Sequence, residues 1–471
     1  MTLMLCLGMA PALGGCLFLG TEKPDAALDV PARYQLASRN QDAALPSVIW
    51  WRGFRSGQLT GLIEEALTSN LDIAAAVARI VQADALSRVA GAPLIPAIDF
   101  NADASRSRSS GTTGGGLGTP SYRSNHNLSL SASYELDFWG KNRARLRAAE
   151  DIAVATRFER EVVGLATVAS VANAYFLVQS AYDRLNTARN NLAAAVRVYN
   201  LVDERFKVGT ASALDTAQQE SLVNALRAAL PLLEQQLREN IVSLAVLIGR
   251  APGNFKVATT GMGSIAIPAV TPGLPSDLLT QRPDIRQAEA ELAAANADVE
   301  AARAAMLPTI TLTGEGGYAS AALRTLLRPE SAFFTLAGGL VQPLLDGGRL
   351  QGQLDLTRGR QDELLQLYRR SVISAFGDVE RALVATQQSA RREQLQREVV
   401  RSSRLAFEIS ETRLREGAVD LVTVLNTQQA LFQADDNLAQ ARLARLQAVV
   451  SLFQALGGGW PLPPKRSAAP R

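Results

Sequence analysis

Histidine and cysteine are nearly missing from these 471 residues: His126 stands alone, and Cys6 and Cys16 are the two thiols. A Cys/His zinc site cannot be assembled from that stock, and a catalytic Cys–His pair would have to use these few residues. An excess of one charge is missing too. Lys and Arg number 48 against 45 Asp and Glu, a formal +3, which is no electrostatic footprint for a nucleic-acid partner. Aromatics are scarce at 6%. Proline is absent between Gly140 and Gly209, where Gly164 is the single glycine, and again between Gly348 and Pro461. What is plentiful is alanine, within an apolar share of 47%. That composition excludes wholesale disorder and suits long helices packed through small side chains. No nucleophile elbow, phosphate loop or metal cluster is present. Gly114-Gly115-Gly116 lies in a polar loop with no helix N-terminus after it.

Met1 to Leu19 carries no charge. A short apolar stretch ending in small residues reads as a signal peptide, 1–15, rather than a spanning helix. Leu13-Gly14-Gly15-Cys16 resembles a bacterial lipobox, which implies cleavage before Cys16 and acylation of its thiol. Residues 16–49 would then be a lipid-anchored N-terminal segment. Val162 to Tyr182 is also uncharged and long enough to span. It carries Thr167, Ser170, Asn173, Gln179 and Ser180, so it reads as the buried wall of a helix bundle.

The most informative pattern is an internal repeat. Leu71-Asp72 and Pro283-Asp284 each open a helical stretch, 212 residues apart. Leu94-Ile95-Pro96-Ala97-Ile98 matches Met306-Leu307-Pro308-Thr309-Ile310, again 212 apart. Arg205-Phe206-Lys207-Val208-Gly209 matches Arg413-Leu414-Arg415-Glu416-Gly417 at 208, as Leu247-Ile248-Gly249 matches Ala455-Leu456-Gly457. The chain is therefore a duplicated unit, with repeats over 50–248 and 276–458, a linker over 249–275 and a tail over 459–471. Each repeat predicts a helix of about 20 residues, a strand pair, a very long helix and a returning helix. A helix over Lys141–Val208 would be on the order of 100 Å long. Gly209 and Gly417 suit the left-handed position that ends a helix, and Pro231 is expected to kink the first return helix.

Ile98 to Ser105 alternates apolar and polar residues, and Leu128 to Asp137 does so over ten residues. Thr309–Glu315 and Phe333–Val341 are the third and fourth strands, with Ser105–Ser124 and Tyr318–Ser331 as loops. Apolar-out, polar-in strands of this length fit an outer-membrane barrel, although a soluble sandwich shows the same period. Four strands cannot close in lipid without open edges. Such a chain must share its barrel with copies of itself.

The stretch Arg282-Pro283-Asp284-Ile285-Arg286-Gln287-Ala288-Glu289, running through Ala293-Ala294-Ala295-Asn296-Ala297 to Leu307-Pro308, resembles the signature of TolC-like outer-membrane efflux factors. So do Gln342-Pro343-Leu344-Leu345-Asp346-Gly347-Gly348-Arg349 and the turns at Gly209 and Gly417. With the lipobox, the chain resembles the lipoprotein (NodT-type) branch of tripartite RND efflux systems. The resemblance implies an α+β membrane protein, four strands per chain, and a homotrimeric 12-stranded barrel in outer-membrane lipid. A long periplasmic α-helical barrel and a small equatorial region complete it. It also implies a passive exit duct without cofactor, partnered by a periplasmic adaptor and an inner-membrane RND-type transporter. By the same resemblance Asp420 is a gate candidate, while its place after Gly417 also suits a helix N-cap. Arg205, Lys207, Arg413 and Arg415 are candidates for adaptor contacts or tip ion pairs. Asp99, Asn101, Asp103 and Glu135 are expected to face the lumen. A type I protein-secretion duct and a non-transport helical scaffold are the alternatives.

Overall fold

A computed structural model describes residues 31, 34, 49–110, 122–270 and 273–458. The expected signal peptide, Cys16, nearly all of segment 16–49, Gly114-Gly115-Gly116 and the tail lie outside the described residues.

The first repeat contains α1 (Gly57–Ser69), α2 (Leu71–Gly91), β1 (Ala97–Arg108), β2 (Tyr122–Leu136), α3 (Lys141–Lys207) and α4 (Ala213–Leu247). The second contains α5 (Pro275–Gln281), α6 (Pro283–Ala304), β3 (Thr309–Ser320), β4 (Ala332–Val341), α7 (Arg349–Arg415) and α8 (Leu421–Ala455). Duplication is visible in the lengths. α3 and α7 have 67 residues each, and α4 and α8 have 35 each.

The long helices have local causes. The proline-free sequences of α3 and α7 keep the hydrogen-bond ladder intact, and α3 is rich in alanine besides. Each ends on a glycine of positive φ, 78° at Gly209 and 74° at Gly417. There Thr210 N–H donates to the Arg205 carbonyl, and Ala418 N–H to the Arg413 carbonyl, the bonds of a left-handed C-terminal cap. α4 runs unbroken through Pro231.

The chain divides into two compact units, and among the described residues each boundary between them falls inside a helix. Among the described residues one unit comprises 79–156 and 287–369. It holds an antiparallel sheet in the order β1-β2-β3-β4, so β1 and β4 are its edges. Two aspartates secure the exits from this sheet. The Asp137 carboxylate accepts from Asn142 N–H and Arg143 N–H at the start of α3. Burial pushes that carboxyl up, but these bonds and the Arg143 charge outweigh it and hold it below the usual range. Asp346 accepts from Gly348 N–H and Leu350 N–H at the start of α7. Gln342 donates to the Met306 carbonyl, which ties the end of β4 to the end of α6.

The other unit contains α1, α4, α5, α8 and the remaining parts of α2, α3, α6 and α7. Its larger core gathers Trp50, Trp51 and Phe54 against Phe176, Leu244, Ile248 and Phe453. Trp50 stacks on Phe453 with ring centres 4.8 Å apart. Val168, Val171, Ala172 and Val178 belong to this core, as expected of the uncharged stretch of α3. That helix alone among those described is long and apolar enough to cross a membrane. A second cluster joins Val198 and Val202 to Phe407, Leu414, Leu421 and Val424.

The strands extend beyond the alternation read from sequence. β1 reaches Arg108, β2 begins at Tyr122 and β3 runs on to Ser320. Gly314, Gly316 and Gly317 look like turn residues in isolation, yet each is paired on both sides in the sheet. Cross-strand bonding overrides the weak local propensity. At Gly317 the close approach requires glycine, since a Cβ would lie 2.2 Å from the Leu128 carbonyl oxygen.

Candidate functional site

Register divides the sheet into two chemically distinct faces. Across β1 and β2, Asp99 pairs with Ser131, Asn101 with Ser129 and Asp103 with Asn127. Ser131 meets Glu315, Glu135 meets Thr311, and Glu315 meets Thr335. These positions share one polar face. Asn101 donates to the Ser131 hydroxyl at 3.1 Å, and Glu135 pairs with Lys141. The opposite face carries Ile98, Phe100, Leu128, Leu130, Ile310, Leu312, Phe334, Leu336 and Leu340. The apolar face is open: Ile98, Phe100, Phe334 and Leu336 are all exposed, the last two at 81% and 80%. An apolar surface this continuous, with unpaired backbone at β1 and β4, is unfinished as a water-soluble structure.

In the other unit, the helix ends near Gly209 and Gly417 bring several expected residues together. Arg205 Nη1 donates to the Leu414 carbonyl at 2.5 Å, joining the end of α3 to the end of α7. Lys207 pairs with Asp203 one turn back, at 2.6 Å. That hydrogen bond and the neighbouring carboxylate raise the Lys207 pKa. Arg415 likewise pairs with Glu411 on its own helix, and Arg413 is exposed. Asp420 is the N-cap of α8, accepting from Thr423 N–H at 2.9 Å and Thr423 Oγ1 at 2.6 Å. The Thr423 hydroxyl and amide hold its carboxyl below the usual range. In the first hairpin Ser212 caps α4, and Asp215 closes the reciprocal bond. Among the described residues no group of His, Cys, Asp and Glu is placed to hold a metal ion.

Other residues enter only with the structure. The linker between repeats is held from both sides. From α3, Gln179 bonds Ala258, Thr260 and Gly261, while Asp183 accepts from Met262 N–H at 2.8 Å. From α8, Arg442 donates to the carbonyls of Met262, Gly263 and Ile265. Burial, the largest influence on Asp183, pushes its carboxyl up. Arg282 bonds Asp284, Asp378 and the Ala455 carbonyl, which gives the motif arginine a structural task. Nothing in one-dimensional spacing joins Arg442 to a linker 180 residues earlier.

A two-faced, open-edged sheet joined to two long helical hairpins is the protomer of a duct that spans a membrane. The chain belongs to the outer membrane efflux protein family, whose profile matches residues 62–250 and 274–458. It is 42% identical over 445 residues to the pyoverdine export outer membrane protein OpmQ of Pseudomonas putida, covering 93% of each chain. It is 40% identical over 457 residues to OpmQ of Pseudomonas aeruginosa, covering 95% of this chain and 96% of that one. A solved structure of the outer-membrane channel OprN superposes with a TM-score of 0.87 at 25% identity, covering 94% of this chain and all of that one. The chain is thus an outer-membrane exit duct of an efflux pump, with its family's duplicated strand-and-helix fold. The family is one of transport ducts. The resemblance carried by Arg282–Glu289 and Gln342–Arg349 is borne out at the level of family and fold.

Proposed function

We propose that three copies of this chain pool their sheets into a 12-stranded barrel and conduct cargo passively, without a cofactor or catalysis of their own. The observation that carries this reading is the sheet with both edges open and one face predominantly apolar. Closure by two further copies pairs both edges and gives the apolar face to lipid. Asp99, Asn101, Asp103 and Glu135 then line the lumen. Cys16 is the acylated anchor of a mature chain that starts there. A periplasmic adaptor and an inner-membrane RND-type transporter complete the pump. The two OpmQ relatives make a pyoverdine-class siderophore the first cargo to test.

Access is set at the helical tip. A ring of three Asp420 carboxylates favours cations at a constriction, while each also caps its own helix. Arg205 ties the two hairpins of one chain together, so release of its bond to the Leu414 carbonyl permits outward movement of a helix pair. Exposed Arg413, with Lys207 and Arg415, supplies the basic surface for the adaptor.

The test is conductance of detergent-purified protein in planar bilayers, with its copy number from light scattering. Trimers with a small, cation-preferring closed-state conductance are expected, and Asp420→Ala should weaken the preference. Monomers that leave the bilayer silent would sink the duct. An unchanged cation preference in the variant would remove Asp420 from the gate. Intact-mass measurement addresses the anchor separately: wild type should carry an acyl adduct that Cys16→Ser lacks.

A further inference from the structure

The alternation of β1 does not end with its apolar residues. Ile98, Phe100, Ala102 and Ala104 lie on the apolar face, and the same period continues into Arg106 and Arg108. On β2, Tyr122 pairs with Arg108, and Ser124 with Arg106. Two guanidinium groups therefore stand at the end of a face that is apolar from Ile98 to Ala104 of β1. Both lie over one ring, with the Arg106 and Arg108 guanidinium carbons 5.4 Å and 5.6 Å from the Tyr122 ring centre. The ring face attracts each cation, but the cations repel one another. Among the described residues neither is paired with a carboxylate.

We propose that Arg106, Arg108 and Tyr122 form a binding site for the phosphates of lipid A, the phosphorylated glycolipid of the outer leaflet. The proposal rests on the membrane-spanning duct argued above. Depth supports it. Tyr122 and Tyr134 lie on the same face of β2, twelve residues apart, about 40 Å along the strand at roughly 3.3 Å per residue. A barrel tilt of about 40° reduces this to roughly 30 Å across the membrane, close to the separation of two interfacial aromatic girdles. Tyr122 then stands at one headgroup level and Tyr134 at the other.

Topology selects the leaflet. Helices α2, α3, α6 and α7 adjoin the end of the sheet near Ala97, Leu136, Thr309 and Val341. Arg108, Tyr122 and the turn after Ser320 lie at the other end of the strands, away from the periplasmic helices. Arg106 and Arg108 are thus at the outward headgroup layer, facing lipid rather than lumen. The ligand that fits is anionic and anchored in hydrocarbon. A phosphate monoester matches the planar fork of each guanidinium, and basic sites at headgroup depth recognise lipid phosphates in this way. Arg324 and Arg328, beside exposed Leu323 and Leu327, lie in the turn at the same end.

The test uses detergent-purified full-length trimers mixed with bisphosphorylated lipid A or with the same lipid dephosphorylated. Native mass spectrometry counts the lipid retained per trimer. Wild type should prefer the bisphosphorylated form by about tenfold or more, the scale of a charge-assisted hydrogen bond. Arg106→Gln/Arg108→Gln should abolish the preference, while Tyr122→Phe, which keeps the ring face, should retain it. Equal retention of both lipids by wild type, or an unchanged preference in the double variant, would overturn the site. Displacement of lipid A by an equal concentration of inorganic phosphate would also overturn it, pointing to a free-anion site. Bilayer conductance of the same samples tests the duct independently. The double variant should conduct like wild type, whereas a silent wild type would count against the duct rather than the lipid preference.

Discussion

The two repeats share a frame down to single hydrogen bonds, then part company at one level of their helical hairpins. Asn70 donates to the Leu247 carbonyl, and Arg282, 212 residues on, donates to the Ala455 carbonyl, 208 residues on. The hairpin of the first repeat places Leu185 and Leu237 where the second places Glu393 and Arg445. Arg189 pairs with Glu234 at 2.8 Å in the first. The corresponding positions of the second are both arginine, Arg397 and Arg442. Charge reversal at the latter frees a guanidinium to hold the linker carbonyls. It also leaves three arginines together, and Glu393, 1% exposed, is bonded to all three. Duplication supplied the frame, and departures from it gather where the inter-repeat linker must be held.

Glu393→Leu installs the first repeat's residue in the second and is expected to have the largest effect. Three guanidinium groups lose one buried counter-ion, at a cost of about 4 kcal/mol, read as a fall in Tm. The native contribution depends on pH. Burial pushes the Glu393 carboxyl up, but the bonds and charges of Arg445 and Arg397 hold it below the ordinary range. Its stabilisation is therefore complete above the unfolded value of about 4.3. It is lost as pH falls through the lower folded value. The Tm gap between wild type and variant should close below about pH 4. A gap constant from pH 7 to 3 would break the electrostatic account of the difference.

Arg282→Ala should cost about 3 kcal/mol, since Asp284 and Asp378 lose a shared cation in a half-covered site. Asn70→Ala, its counterpart, removes a cap and one carbonyl partner, for about 1–2 kcal/mol. Equal losses would mean that the paired hydrogen bonds matter and the ion network around Arg282 adds nothing.

Much of this frame was legible in the sequence because it rests on local causes. Gly209, Gly417 and the proline-free stretches set the limits of α3 and α7 to within a residue where they were read, and period-two alternation found the strand cores. The sheet ends were not legible. Gly314 to Gly317 carry turn-like propensity, and partner strands decide their conformation. Arg106 and Arg108 could have been found by continuing the alternation past Ala104, where polar residues suggested a loop instead. The linker clasp had no local signal. Gln179, Asp183 and Arg442 are ordinary polar helix residues until folding brings them to the same backbone.

Smaller changes sharpen the comparison at the helix ends. Gly249 and Gly457 follow α4 and α8 with φ of 75° and 71°. A Cβ would lie 2.3 Å from the Ser69 carbonyl oxygen at the first, against 2.9 Å from that of Gln281 at the second. Left-handed backbone alone costs an alanine about 1–2 kcal/mol. The deeper clash should bring Gly249→Ala to about 2 kcal/mol or more, with Gly457→Ala less affected. The same Tm measurement checks the order, and a reversed order would show that the Ser69 turn yields more readily than the Gln281 turn.

The smallest effect is expected at the caps. Ser212 and Asp215 of the first repeat correspond to Asp420 and Thr423 of the second, so hydroxyl and carboxylate exchange places across the same turn. In both pairs a cap oxygen accepts from the amide three residues on. Exchanging the first pair to Ser212→Asp/Asp215→Thr should therefore leave Tm nearly unchanged, whereas Ser212→Ala should cost about 1 kcal/mol. If the exchanged pair loses as much as the alanine variant, the two turns are not interchangeable as helix caps. The carboxylate at 420 would then owe its place to the helix end itself rather than to a role in the pore.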